Sequence, residues 1–153
     1  MVDENSQAQD KIWYHSGDEY IDRRNVLPGL HVGTYDQALM RAGRCLTQIT
    51  IDRDVFARVK DDVTSTKVKK VIMAAHSQGV AALRYLNRVE GIPLEEFERA
   101  RAKLKSYGLG QDLDNVSDDQ FRRAVPSAHD SLVILDPSII TSFQQIEKRR
   151  QAA

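Results

Sequence analysis

Two sets of residues in this chain could do chemistry. The first is contiguous. In VIMAAHSQGVAAL, Val71 to Leu83, apolar runs enter and leave Ala75-His76-Ser77-Gln78-Gly79, the kind of stretch in which a serine hydrolase sets its nucleophile on a sharp turn from strand to helix. Ser77 would attack, His129 is the histidine beyond it, and Asp112, Asp114, Asp118 and Asp119 lie between, so the sequence leaves the order of serine, acid and histidine open. The second set is dispersed over WYHSG at 13–17, GLHVGTYDQALMRAG at 29–43 and LRYLNRVEG at 83–91. It offers the rings of His15, His31 and Tyr35, which can hydrogen-bond or stack, and the carboxylate of Glu90.

The hydrolase pattern falls short of what its chemistry needs. Ala75 stands where the first elbow glycine belongs and adds a Cβ where strand and helix must approach closely. The expectation is therefore a loop at His76 to Gly79 between two strands, with Ser77 a surface residue. The four histidines and the single Cys45 lie too far apart for a compact zinc signature, and there is no H-E-x-x-H or paired C-x-x-C. KVKK at 67–70 and EKRRQ at 147–151 are small basic clusters of the kind a solvated face carries.

Taken in order, the three dispersed stretches and the later SLVILDPSII resemble the ADP-ribosyltransferase superfamily, in particular phage- and toxin-associated members related to the diphtheria toxin and poly-ADP-ribose polymerase branch. The resemblance covers most of residues 13–91 together with 131–142. It implies NAD as substrate, Glu90 as the catalytic residue at the ribose, and His15 bonding the adenosine-side ribose. It further implies that the backbone of Ser16, beside Gly17, grips the nicotinamide carboxamide, and that either His31 or Tyr35 stacks on the nicotinamide ring. Thr34 falls in the same cofactor-binding stretch, although its hydroxyl equally suits a helix cap. Nicotinamide is already a cationic leaving group, so no general acid is required. The task is to hold the dinucleotide and stabilise an oxocarbenium-like ribose. ADP-ribose would pass to a macromolecular acceptor, protein or nucleic acid. The alternative within the same resemblance is an inactive interaction module.

The chain departs from the family pattern in three places. Ser16 intervenes between His15 and Gly17. About 40 residues separate Glu90 from Ser131, an insertion at 92–127 that would be a lid or scaffold, or would mean that Glu95 or Glu96, both expected on a solvated helix face, replaces Glu90. Arg88 stands where arginine-modifying relatives carry a second glutamate, which disfavours arginine as the acceptor.

The elements that must position these residues follow from periodicity. Ile12 to His15 reads as a strand, residues 25–34 as a loop with a brief strand, and Tyr35 to Arg44 as a helix capped by Thr34. CLTQITID reads as a strand by its alternation, RDVFARVKDD as a short helix, and VKKVIMAA as a second strand. Pro93 to Ser106 is the plainest helix, with a proline in its first turn and Leu94, Phe97, Ala100 and Leu104 at helical spacing. Residues 106–115 read as a loop, SDDQFRRAV as a helix capped by Ser117, SLVILDPS as a strand stopped by Pro137, and the remainder as a polar tail with helical character.

The expected fold class is α+β, an ADP-ribosyltransferase-like split mixed or antiparallel β-sheet core with short helices and a helical insertion. With 153 residues and 41% hydrophobic content the expectation is one domain over 11–146, between a disordered tail at 1–10 and a polar tail at 147–153. Lys plus Arg and Asp plus Glu each total 22, so no net charge draws the whole molecule to a polyanion. The polar, acidic start, the lone cysteine and the lack of an apolar run near the roughly 18–20 residues of a membrane span point to a cytoplasmic protein without membrane insertion.

Overall fold

The computed structural model describes residues 11–52, 57–59, 65–106, 113 and 116–148. In chain order the elements are β1 (Ile12–Gly17), β2 (Leu30–Val32), α1 (Tyr35–Met40), β3 (Cys45–Ile51), β4 (Ala57–Val59) and α2 (Ser65–Ser77). They continue with β5 (Ala82–Leu86), α3 (Leu94–Ser106), α4 (Asp118–Ala124), β6 (Asp130–Ile134), a 3₁₀ turn at Pro137–Ile139 and β7 (Ile140–Ile146). The class is α+β, with two small sheets. One has the order β1-β3-β7 and is antiparallel throughout. The other has the order β2-β6-β5-β4, antiparallel except for the parallel β4–β5 pair.

The edge strands β1 and β2 meet at a single bridge, Tyr14 with Gly33, whose two reciprocal N–H to C=O bonds are 2.8 and 2.9 Å long. On either side of that bridge the sheets diverge. Their facing sides share one core of Trp13, Val32, Ile49, Ala82, Leu132 and Ile134, closed by Ile139 and Ile140. Each fully buried aliphatic chain there contributes about 1.5–3 kcal/mol. β6 is buried at every position, because α2 covers its other face through Ala75 against Leu83, Val133 and Leu135. That explains why SLVIL is a continuous apolar run and not an alternating one.

Four expectations of secondary structure are corrected. Residues 65–77 are a helix and not a loop followed by a strand: Val71, Ile72 and Ala75 lie on one face toward the second sheet, while Met73 and Ala74 face out. The middle of RDVFARVKDD is a strand, β4, pairing Ala57, Arg58 and Val59 with Leu83, Arg84 and Tyr85; its flanks lie outside the described residues. The expected C-terminal tail contains β7, paired along β3 with a register shift at Thr50/Ile51. α1 ends at Met40, because Arg41 is extended (φ −75°, ψ 147°) and its N–H bonds back to Ala38.

The described residues of the stretch 92–127 contribute to the core. Ala100 and Leu104 of α3 and Phe121 of α4 pack with Leu86, Ile92, Leu113, Val116 and Val125 into a second buried cluster. Leu94, at the head of the predicted apolar stripe, is instead 70% exposed. α4 begins at Ser117 with the reciprocal cap that its S-x-x-Q spacing allows, Ser117 to Gln120. Glu96 does not lie on a solvated face: it is buried, accepting the N–H of Ser127 at 2.8 Å. Hydrogen bonding from Ser127, its hydroxyl first and then this N–H, favours the ionised form and, against burial, holds the carboxyl below its usual value.

Candidate functional site

Thr34 accepts the N–H of Gln37, and the side chain of Gln37 accepts the N–H of Thr34, a capping box that starts α1 directly after the sheet bridge. Thr34 is thereby used as a helix cap, the plainer of its two expected roles. Gln37 is buried and does more. Its Nε2 donates to the carbonyl of His129 at 3.0 Å, and its Oε1 accepts the hydroxyl of Ser131 at 2.8 Å. Two motif glycines answer to it. A Cβ on Gly33 would lie 2.3 Å from Gln37 Oε1, and one on Gly91 2.9 Å from Gln37 Cγ, with Gly91 at φ +77° besides.

From Ser131 the network continues to Asn87 and then Glu90. Asn87 Nδ2 donates to Ser131 Oγ and to Glu90 Oε1, both at 3.0 Å. Its Oδ1 accepts the N–H groups of Val89 (3.0 Å) and Glu90 (2.9 Å), which folds the turn carrying the glutamate. The other carboxylate oxygen, Oε2, receives Arg41 Nε at 2.5 Å. Glu90 is thus gripped at both oxygens, with its side chain 21% exposed. Arg88, two positions before it, is committed elsewhere, to Asp118, to the carbonyl of Val116 and to the face of Phe121.

Near this carboxylate lie His31, with His15 beside it, and Tyr85. His15 Nδ1 lies 3.0 Å from the carbonyl of His31; a carbonyl only accepts, so Nδ1 carries a proton and, in the neutral ring, Nε2 is left as an acceptor above Gly17. His31 stands edge-on to Tyr85, with centroids 6.4 Å apart. Burial first, and the positive charge of Arg41 second, keep the His31 imidazole below its ordinary 6.5, with Glu90 opposing, so it is neutral at pH 7. Burial likewise raises the Tyr85 hydroxyl above 10.0, against the pull of Arg41 and a hydrogen bond with Ser131. Tyr35 packs edge-on against Tyr14 at 5.3 Å. Of the two candidate stacking rings, His31 shares surroundings with Glu90 and Arg41, and Tyr35 belongs with Tyr14.

Ser16 sits on the open edge of β1. Tyr14 directs its N–H and C=O to Gly33, away from β3, and the two-residue alternation of a strand turns those of Ser16 the same way. Its side chain is buried under Lys148, whose ammonium donates to Ser16 Oγ at 2.8 Å and to the carbonyls of Arg41 (2.7 Å) and Gly43 (2.8 Å). Lys148 therefore locks the edge strand to the end of α1, which a polar tail would not do.

The structure brings His15, His31 and Glu90 into one electrostatic neighbourhood with the edge backbone of Ser16 close by in β1, and it adds Arg41, Asn87, Gln37, Ser131 and Tyr85. Asn87 and Tyr85 stand within LRYLNRVEG and Gln37 within the T-x-x-Q cap, so their spacing was visible. Arg41 and Ser131 had no local signal. A cleft of about 360 Å³ opens on Glu90 between Arg41 and residues 85–89, and a larger groove of about 990 Å³ runs beyond it between α1 and the start of α3. Among the described residues no set of His, Cys, Asp and Glu could hold a metal ion, and no helix is long and apolar enough to cross a membrane.

Ser77 is not on a nucleophile elbow. The chain there runs from helix to strand, the reverse of the required order, and Ser77 Oγ donates to the carbonyls of Met73 (3.1 Å) and Ala74 (3.0 Å). Comparison with protein-family models, with curated proteins and with solved structures finds no match for this chain.

Proposed function

We propose that the chain is an NAD-dependent mono-ADP-ribosyltransferase that moves ADP-ribose from NAD to a macromolecular acceptor, protein or nucleic acid, and releases nicotinamide. The observation that carries this reading is the clamped carboxylate of Glu90 at the divergence of the two sheets, in the same neighbourhood as the His15 and His31 rings. As the bond between ribose C1′ and the nicotinamide nitrogen breaks, its electron pair goes to the ring and neutralises it. Glu90 faces the positive charge left on the ribose, a contact that strengthens only in the transition state. The acceptor nucleophile then bonds C1′ and gives up its proton to Glu90 or to water. A neutral His31 suits stacking on a cationic ring, since a protonated one would repel it.

A second reading, a binding module without catalysis, draws on the Arg41–Glu90 pair, which offsets the charge that catalysis would use. Release of nicotinamide from NAD, followed by chromatography, separates the two: the transferase produces it and a binding module does not. A serine hydrolase would instead label at Ser77 with a fluorophosphonate probe, which the backbone bonds of that hydroxyl argue against.

A further inference from the structure

The guanidinium of Arg41 is only partly used. Nε bonds Glu90, while among the described residues the two terminal nitrogens, with four N–H donors, have no partner. The side chain is 34% exposed and lines the 360 Å³ cleft that opens on Glu90. Their base is fixed: the N–H of Arg41 bonds Ala38, and its carbonyl takes the ammonium of Lys148. Nor does Glu90 cancel the charge. At both His31 and Tyr85 the positive charge of Arg41 acts more strongly than the opposing negative charge of Glu90.

We propose that Arg41 forms a phosphate subsite, in which Nε holds the Glu90 carboxylate and the two terminal nitrogens take oxygens of a diphosphate group. A planar fork of parallel N–H groups matches phosphate oxygens in pairs. The choice of a diphosphate, as against any other phosphate, rests on the transferase reading, because the NAD substrate carries one. One guanidinium then sets the distance between the catalytic carboxylate and the ligand's phosphates, and Glu90 weakens anion binding by like-charge repulsion.

The test is calorimetric titration of the full chain with inorganic pyrophosphate, and in parallel with ADP-ribose and with nicotinamide riboside, which has no phosphate. Wild type is expected to bind the first two. Arg41→Gln should weaken both about tenfold or more, equivalent to at least about 1.4 kcal/mol, with Arg41→Lys intermediate and nicotinamide riboside unaffected. Glu90→Gln should tighten pyrophosphate several-fold. Equal pyrophosphate affinity in wild type and Arg41→Gln, no binding to wild type at millimolar concentration, or weaker binding in Glu90→Gln would overturn the subsite. Should Arg41→Gln not fold, Arg41→Lys and Glu90→Gln decide the matter in opposite directions. Pyrophosphate binding without any nicotinamide release would remove the transferase reading and leave the subsite standing.

Discussion

Arg41 Nε lies 2.5 Å from Glu90 Oε2, at the end of an arginine whose own carbonyl is held by Lys148. With Asn87 Nδ2 on the other oxygen, the carboxylate accepts from two fixed donors. A glutamine at 90 offers one acceptor oxygen to those two, and its NH₂ then faces a donor. Glu90→Gln is therefore expected to cost about 1–3 kcal/mol of stability as well as activity. Urea titration of both forms checks this, and a variant as stable as wild type would mean that the clamp does not persist in solution.

Asn87 is the positioning residue of the site, since its four bonds shape the turn and aim the carboxylate. Asn87→Ala should lower kcat by about 10²-fold with a much smaller change in KM, because misplacing a reacting group acts on the transition state. Steady-state kinetics of nicotinamide release read this directly. A change in KM alone would assign Asn87 to ground-state binding.

Lys148 donates to three oxygens, one for each proton of its ammonium. Lys148→Met leaves Ser16 Oγ and two carbonyls without their donor and is expected to destabilise by about 1–3 kcal/mol. It should also weaken NAD binding, since Ser16 and Arg41 lose their common anchor. Thermal melting and NAD titration on the same sample test both.

How much of this was legible in the sequence depended on distance along the chain. The caps at Thr34 and Ser117, the strands at 12–17 and 45–51 and the helix from 94 rest on neighbours within four residues. VKKVIMAA misled because Val68, Val71 and Ile72 supply β-branched residues, while the helical repeat shows only in Val71, Ile72 and Ala75. β7 gave no two-residue alternation: Ile140, Phe143 and Ile146 are its more buried positions, and the register slips where β3 meets it. Burial of Glu96 depends on Ser127, and the clamp joins Arg41 to Glu90 and Gln37 to Ser131 across 49 and 94 residues. No local pattern encodes such pairings; they follow from the sheets that carry them.

Glu96 gives a pH signature independent of catalysis. Its carboxyl titrates below the ordinary 4.5 in the folded chain, chiefly through hydrogen bonding with Ser127. The unfolded chain therefore takes up the proton first as pH falls. The stabilisation is complete above about 4.5 and is lost as pH drops through the lower folded value. Denaturant midpoints of wild type and Glu96→Gln should differ at pH 7 and converge below pH 4.5; a gap that stays constant would show that the charge plays no part.

The central claim is tested most directly by incubating wild type and Glu90→Gln with NAD labelled in its adenylate half, together with whole-cell lysate, and measuring free nicotinamide and label retained on macromolecules. Treatment of the products with nuclease or protease identifies the acceptor polymer. Wild type is expected to release nicotinamide and label one class of polymer, and the variant, checked for folding, to lose about 10²–10³-fold in rate, the effect of removing one charge-stabilising contact. Undiminished labelling by folded Glu90→Gln, or no nicotinamide from wild type, would contradict the account.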